Sequence, residues 1–269
     1  MLYARKFLGA EEAERAEKAL PTLLKTIASR QLSSGGFAYW PGNDSAHEWA
    51  TSMAGEVIIE ARRQGFVVAN QTIDRWKSYQ NSASRSYRHT IDKATDLVQA
   101  YRLYTLVLAG EQPTAAMNKL RESKSISQQA LLRLAAAYTL NSRTDVAAKL
   151  IDKAATTPAI NGSYATFWSP LRDKAMALES YLLAGDKSKA FALAREVARE
   201  FSATACTTQE VAFVSVAMSR MNDIIGTSAT EVAITNGKTN ILRNLRGVKN
   251  LSLDTKQSVV VENLGAEEI

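Results

Sequence analysis

Three stretches of this chain close in nearly the same way, and that repetition limits what it can fold into. Val107-Leu-Ala-Gly-Glu111 and Leu182-Leu-Ala-Gly-Asp186 each end an apolar run with a glycine and an acid, and Tyr138-Thr-Leu-Asn141 ends a third. Glycine or asparagine after a helical run supplies the left-handed residue that terminates a helix. A short polar turn and an Ala-rich segment of helical spacing follow each stop. The run Leu131 to Tyr138 is nearly apolar all round, whereas its successor, Thr144 to Ala155, is amphipathic. A helix apolar on every side belongs inside and an amphipathic one outside. The chain therefore reads as a series of helical hairpins.

Such hairpins stack as an open solenoid or close into a ring. A tetratricopeptide array would keep a strict period of about 34 residues with fixed Trp, Gly, Tyr and Pro positions. Here the spacing drifts and the aromatic loops are irregular. The expected fold is mainly α, an α/α toroid (an α6/α6 barrel of helical hairpins), with an open helical-repeat scaffold as the alternative.

The periodicity places helices over 11–31, 45–64, 71–80, 90–109, 113–120, 127–140, 144–155, 171–184, 187–201 and 207–222. Pro21 removes a backbone donor inside the first, which predicts a kink or a break. Ser45-Ala-His-Glu48 has the spacing of a capping box, with Ser45 as N-cap. Residues 81–88 read as a polar link, and 156–170 as a loop carrying Asn161-Gly162, Tyr164, Phe167 and Trp168. Between the first two helices lies Ser34-Gly35-Gly36-Phe37-Ala38-Tyr39-Trp40-Pro41-Gly42. It reads as a packed turn, with glycines where a side chain would block the backbone and Phe37, Tyr39 and Trp40 capping the barrel end.

After Gly226 the pattern changes. Val232-Ala-Ile-Thr-Asn236-Gly237-Lys-Thr-Asn-Ile241 is two β-prone runs about an Asn-Gly turn, a strong hairpin signal. Leu251-Ser-Leu253 and Val259-Val-Val261 add further runs. Residues 1–225 are assigned to the toroid and 226–269 to a β-rich segment too small to bury a core alone, part of a flanking domain. Neither end resembles a natural boundary: Met1-Leu-Tyr-Ala-Arg-Lys6 lacks the features of a signal peptide, and the last β-prone run is cut short.

The residue chemistry is sparse. The excess of 33 basic over 27 acidic residues is mild for 269 residues. Nucleic-acid binding would gather the bases with aromatics on one face, and the densest group, Arg85-Ser86-Tyr87-Arg88-His89, reads as a solvated link. No run approaches the 18 or so apolar residues of a membrane span. His47 lies among Asp44, Glu48 and Trp49, but a zinc site needs three or four convergent ligands, and His89 has no partner for base chemistry. Cys206, the one cysteine, precedes Thr207-Thr208-Gln209-Glu210. It reads as a packing residue at a helix start capped by Thr207 or Thr208 with Glu210. Asp173 suits the positive end of a helix dipole. An α/α-barrel enzyme acting on an isoprenoid or a polysaccharide is the alternative function. The DDxxD and DxDD acids of terpene cyclases are missing, while Tyr39, Tyr87 and Tyr164 are the tyrosines such an enzyme could use. No catalytic residue, cofactor or metal is assigned.

With the helices placed, several stretches resemble the α2-macroglobulin family, in particular its bacterial members. Gln31-Leu-Ser-Ser-Gly-Gly-Phe-Ala-Tyr-Trp-Pro-Gly42 with Glu48-Trp49-Ala-Thr51 is similar to a loop and helix start of their thioester-domain toroid. Ala100 to Gly110 with Ala116 to Arg121, and Leu131 to Tyr138 with Asp145 to Ile151, resemble its next hairpins. Ser169-Pro-Leu-Arg-Asp173 and Thr208-Gln209-Glu210 match later landmarks, and the β-prone tail is similar to the domain flanking the toroid. Gly35, Gly36, Phe37, Tyr39, Trp40 and Trp49 are the landmark residues, structural in role.

The resemblance implies a non-catalytic domain of a protease-trapping inhibitor at the cell envelope, periplasmic or on the cell surface. Its partners would be the remaining domains of the parent chain and the target proteases, with no nucleic acid and no membrane insertion. In thioester-bearing members a Cys-x-Glu-Gln motif acylates the attacking protease. That motif does not occur in this sequence, and Cys206 stands in the wrong context. Either it precedes Met1 in a longer chain or the parent protein lacks it. A ring with a filled axis and no convergent polar groups would favour the inhibitor. A deep cleft lined by carboxylates or by Tyr and His would favour the enzyme.

Overall fold

The helical periodicity is realised, in a computed structural model that describes residues 2–6, 8–89, 94–159, 164–203, 205–225, 232–243, 253–254 and 256–264, as ten α-helices. They are α1 (Ala10–Ser29), α2 (Glu48–Arg63), α3 (Asn70–Ser86), α4 (Ala94–Leu108), α5 (Thr114–Arg121), α6 (Gln128–Leu140), α7 (Thr144–Thr156), α8 (Pro170–Ala184), α9 (Lys187–Ala203) and α10 (Thr208–Ile225). The even-numbered helices form an inner ring, each packed on the next from α2 to α10, with the odd-numbered helices outside them. Sequence decides the layer. Helix α6 is buried without interruption from Ala130 to Tyr138, whereas α7 buries one stripe, Val146, Ala147, Leu150, Ile151 and Ala154. The expected helical-hairpin toroid is what these residues build.

The described helices make five outer–inner pairs. Leu2 and Tyr3 close the seam between the first and last inner helices, buried with Leu20 and Leu24 of α1, Ala61 of α2 and Val216 of α10. A 3-10 turn at Ala4–Lys6 packs on α1 and α10.

The two ends of the ring differ. At one end α2 and α8 begin after the long links 30–47 and 157–169; at the other, α2, α4, α6 and α8 end in short turns at 64–69, 109–113, 141–143 and 185–186. Each short turn bends through one left-handed residue: Gly65, Gly110, Gly185 and, at the third, Ser142 with φ 58°, one position beyond the expected Asn141, whose φ is −88°. The hydrogen bonds are the same throughout. Phe66 N donates to Ala61 O, Glu111 N to Leu106 O, Arg143 N to Tyr138 O and Asp186 N to Tyr181 O, at 2.8–3.0 Å. This is the Schellman closure, so the repeated sequence stops have one geometric cause. Ser142 bears the steric cost of a Cβ in the left-handed region. Ser142→Gly is therefore expected to stabilise the fold by about 0.5–1 kcal/mol, relief of strain exceeding the added chain entropy, as a rise in the urea midpoint at unchanged slope.

Several boundaries depart from the sequence expectation. Helix α1 runs unbroken through Pro21, which lies on the exposed side between buried Leu20 and Leu24. There water can take up the carbonyl the proline leaves unpaired. Helix α3 continues through 81–86, expected as a link, because its polar residues face inward: Ser84 is buried and its carbonyl accepts from Gln99 Nε2 at 3.1 Å. The N-cap of α2 is His47, not Ser45. The His47 N–H is held by Phe37 O at 2.9 Å, which keeps the chain extended there, and its Nδ1 accepts from Ala50 N at 3.3 Å. At α10 the expected capping box forms: Glu210 N donates to Thr207 Oγ1 at 3.3 Å and Thr207 N to Glu210 Oε2 at 2.7 Å. The expected helix start at 90–93 and the Asn161-Gly162 pair lie outside the described residues.

The expected hairpin is present as β1 (Val232–Asn236) and β2 (Thr239–Arg243), turning through Gly237 at φ 62°. A third strand, β3 (Val259–Asn263), pairs antiparallel on the other side of β1. Val259, Val260 and Val261 are 43, 54 and 63% exposed, so β3 is uncovered on both faces. The expected change of module at 226 and residues 251–252 of the other β-prone run lie outside the described residues.

Candidate functional site

The long-link end of the ring carries the glycine-aromatic loop. Its base is a tight turn in which Leu32 N donates to Gly36 O, Gly35 N to Leu32 O and Ala38 N to Arg30 O, all at 2.9–3.0 Å. Gln31 Nε2 ties it to α3 through Thr72 O at 2.9 Å. At Gly35 φ is 95°, and a Cβ would stand 2.2 Å from Arg75 O; at Gly36 it would stand 2.5 Å from Ala46 Cβ. Both glycines are needed for the loop to lie on α3.

The loop aromatics divide, contrary to the expectation that all three cap the ring. Phe37 is buried with Ile58, Ile73 and Trp76, while Tyr39 and Trp40 face outward, 38 and 64% exposed. Tyr39 stacks on Phe167 of the other long link at 4.8 Å, and His47 stacks on the same ring at 5.2 Å. Trp168, next in the chain to Phe167, is also exposed, at 38%. His47 thus caps a helix and packs on an aromatic ring.

Trp49 belongs to the ring interior. It is fully buried, with Tyr101 at 4.7 Å, Phe213 at 6.0 Å and the Arg172 guanidinium over its ring at 4.7 Å. Its Nε1 donates to Gln209 Oε1 at 3.2 Å.

Beside Trp49, the axis holds a charged cluster that sequence reasoning did not single out. Glu179 accepts from Arg133 Nη1 at 2.8 Å and Tyr104 Oη at 2.7 Å, with Arg220 Nε at 3.5 Å. The Arg133 guanidinium lies over Tyr104 at 4.3 Å. Glu56 accepts from Tyr101 Oη at 2.5 Å and Tyr3 Oη at 3.4 Å. Burial pushes up both carboxyls, with different outcomes. For Glu179, Arg133 and Arg220 outweigh burial and hold it below the usual range. For Glu56, burial and then the Glu179 charge prevail and raise it to about 7. The available signal was a lone charge inside an apolar run, such as Arg133 within Leu131 to Tyr138.

These shifts set a pH dependence. A group raised in the folded state stabilises fully below its unfolded value and loses that contribution as pH climbs through its folded value. For Glu56 the window runs from about 4.5 to 7. Glu179, lowered in the fold, works in the opposite sense and loses its contribution in acid. Glu56→Gln is expected to gain stability relative to the parent between pH 5 and pH 8, read from paired melting curves. An unchanged difference across that range would exclude Glu56 as the titrating group.

The axis falls between the two outcomes set by the sequence. It is filled, yet polar groups converge on it. An apolar cavity of about 380 Å³ opens between α1, α2 and α10, and Tyr3, Glu56 and Tyr101 border it while Glu179 does not. Paired-carboxylate chemistry needs both acids at the substrate, and here only one reaches the space. Of the tyrosines considered for catalysis, Tyr39 lies in the loop patch, Tyr87 packs against the helical core, and the side chain of Tyr164 lies outside the described residues. Cys206 Sγ lies 3.7 Å from Phe201 O. Asp173 lies in the first turn of α8, as expected of a helix-start acid, and is largely buried beside Arg172, accepting from Gln129 Nε2 at 3.0 Å. Among the described residues no three His, Cys, Asp or Glu side chains converge as metal ligands, and no helix is long and apolar enough to cross a membrane.

The whole arrangement has counterparts among solved structures. The fragment of native Escherichia coli α2-macroglobulin from domain MG7 to the C-terminus superposes with a TM-score of 0.73 at 19% identity, over 98% of this chain and 45% of that one. A variant of Salmonella α2-macroglobulin gives 0.73 at 22% identity, over 99% of this chain and 19% of that one. Escherichia coli α2-macroglobulin activated by porcine elastase gives 0.67 at 21%, over 98% and 26%. The fold is therefore that of a region of the bacterial α2-macroglobulins, and the chain spans less than half the length of these structures. At the level of sequence no protein family and no curated protein matches.

Proposed function

We propose that this chain is the α/α-toroid region, with part of a flanking β-domain, of a bacterial α2-macroglobulin-like protease inhibitor working at the cell envelope. The observation that carries the reading is likeness over 98% of the chain to part of such a protein. The landmark loop from Gly35 to Trp40 and Trp49 supports it. Within this chain we read the role as non-catalytic: the Cys-x-Glu-Gln motif is missing from it, and of the axial acids Glu179 is engaged by Arg133, Arg220 and Tyr104 while Glu56 has no second acid beside it at the cavity. The outward face of Tyr39, Trp40 and Trp168 is the surface assigned to contact with the remaining domains of the parent chain.

The test uses the full-length parent protein incubated with trypsin or elastase. Trapping should depress cleavage of a large substrate such as casein far more than cleavage of a small chromogenic peptide. Equal residual activity on both would overturn the reading. Trp40→Ala in the same protein should weaken protection of casein while leaving the fold intact by circular dichroism.

A further inference from the structure

The cavity between α1, α2 and α10 has apolar walls and a single acid. Leu20 and Leu24 line one side, Val57 the second and Val216 the third, and part-exposed Leu23 and Val211 stand at its rim. Its volume of about 380 Å³ falls in the range of small-molecule pockets, which are mostly apolar with a few placed polar groups. Among the described residues the lining contains Glu56 and no lysine or arginine. The hydroxyls of Thr26 and Ser215, also in the lining, are taken up by carbonyls of their own helices, Thr22 O and Val211 O.

Glu56 stands out among the axial charges. Arg133 and Arg220 are engaged on Glu179, whereas the hydrogen bonds to Glu56 among the described residues come from the hydroxyls of Tyr3 and Tyr101. Each carboxylate oxygen has two lone pairs and receives one of these donors, so acceptor capacity remains. A buried acid that makes no direct ion pair among the described residues, with Arg133 and Arg220 acting on it only at longer range, complements, beside open apolar space, a cation carried on an apolar body.

We propose that this cavity binds a lipophilic amine, with its ammonium group against Glu56 and its hydrocarbon body along Leu20, Leu24, Val57 and Val216. Around Glu56 stand Tyr3 from the N-terminal segment, Tyr101 and Tyr104 of α4, Arg133 of α6, Glu179 of α8 and Arg220 of α10. Of these only Arg133 and Arg220 oppose a second cation. The site stands apart from the inhibitor reading: it rests on this cavity and survives if protease trapping fails.

The experiment titrates the protein, as the full parent chain and as this chain, with decylamine, decanol and decanoate by calorimetry below their micellar concentrations. Decylamine should bind about tenfold more tightly than decanol, the advantage of a charge-assisted hydrogen bond, with decanoate weakest. From octylamine to decylamine the affinity should rise about fourfold per methylene. Glu56→Gln should erase the preference of amine over alcohol and keep decanol binding. Leu24→Trp should fill the cavity and abolish binding of both, with melting curves confirming that each variant folds. Equal or tighter binding of decanoate, an amine preference that survives Glu56→Gln, or no binding of any of the three by the full chain would overturn the proposal.

Discussion

Arg133→Leu is expected to cost about 3–5 kcal/mol of stability, the penalty for stripping one partner from a buried ion pair. Both side chains of the Arg133–Glu179 pair are almost wholly inaccessible, 1 and 2% exposed, and their contact is 2.8 Å. Removing the guanidinium leaves Glu179 with Tyr104 and the longer contact to Arg220, which does not replace a charge-assisted bond at full burial. The loss also reaches the aromatics. Among the described residues Arg133 Nε and Nη2 find no hydrogen-bond acceptor, and the guanidinium lies over Tyr104 and Tyr101, so its cost of burial is offset partly through π faces. The double variant Arg133→Leu with Glu179→Leu should recover much of the loss, because an apolar pair of similar volume is often as stable as the ion pair it replaces. Urea midpoints for the two single variants and the double variant complete the cycle. A single-variant cost under about 1 kcal/mol would show that Arg220 alone neutralises Glu179.

This cluster also marks where sequence and structure part. The hairpin rhythm was legible because a helix that must bury one side repeats apolar residues every three or four positions, and because a left-handed stop leaves a glycine behind. Gly65, Gly110 and Gly185 follow that rule, and Ser142 does not, since its side chain tolerates a conformation the motif imposes. The polar end of α3 was illegible for the opposite reason. Gln80 and Ser84 look like solvent-facing residues, yet both are buried toward the inner ring, Gln80 Oε1 accepting from Arg102 Nε at 3.1 Å. Periodicity reports where water is excluded by apolar groups and is silent about a polar layer inside a helical ring. The axial charges share that blindness: Arg133, Glu56 and Glu179 are far apart in sequence, and only closure of the ring brings them together. His47 in place of Ser45 is a smaller case, decided by the hydrogen bond from His47 N to Phe37 O, which no local pattern encodes.

Trp49→Ala is expected to cost about 3–5 kcal/mol, the range for deleting a fully buried aromatic, and to loosen the long-link end of the ring. Trp49 is the hub between α2, α4 and α10, through Tyr101, Phe213 and the Nε1 bond to Gln209. That bond holds the first turn of α10, whose Glu210 accepts from Ser169 at the end of the other long link. Ser169 in turn caps α8 two residues after Phe167, the ring on which Tyr39 and His47 stack. A gap at Trp49 therefore propagates along Gln209, Glu210 and Ser169 to the exposed aromatic face. Hydrogen exchange should quicken in 34–47 and 164–169 of Trp49→Ala while α6 and α7 keep their protection. Trp49→Phe, which keeps a ring but loses the donor, should cost about 1–2 kcal/mol, part of the cavity term plus one hydrogen bond. Loss of stability in Trp49→Ala without faster exchange in the two long links would show that the loop face is held by α3 and Phe37 alone. The chain of contacts through α10 would then have no part in presenting Tyr39 and Trp40.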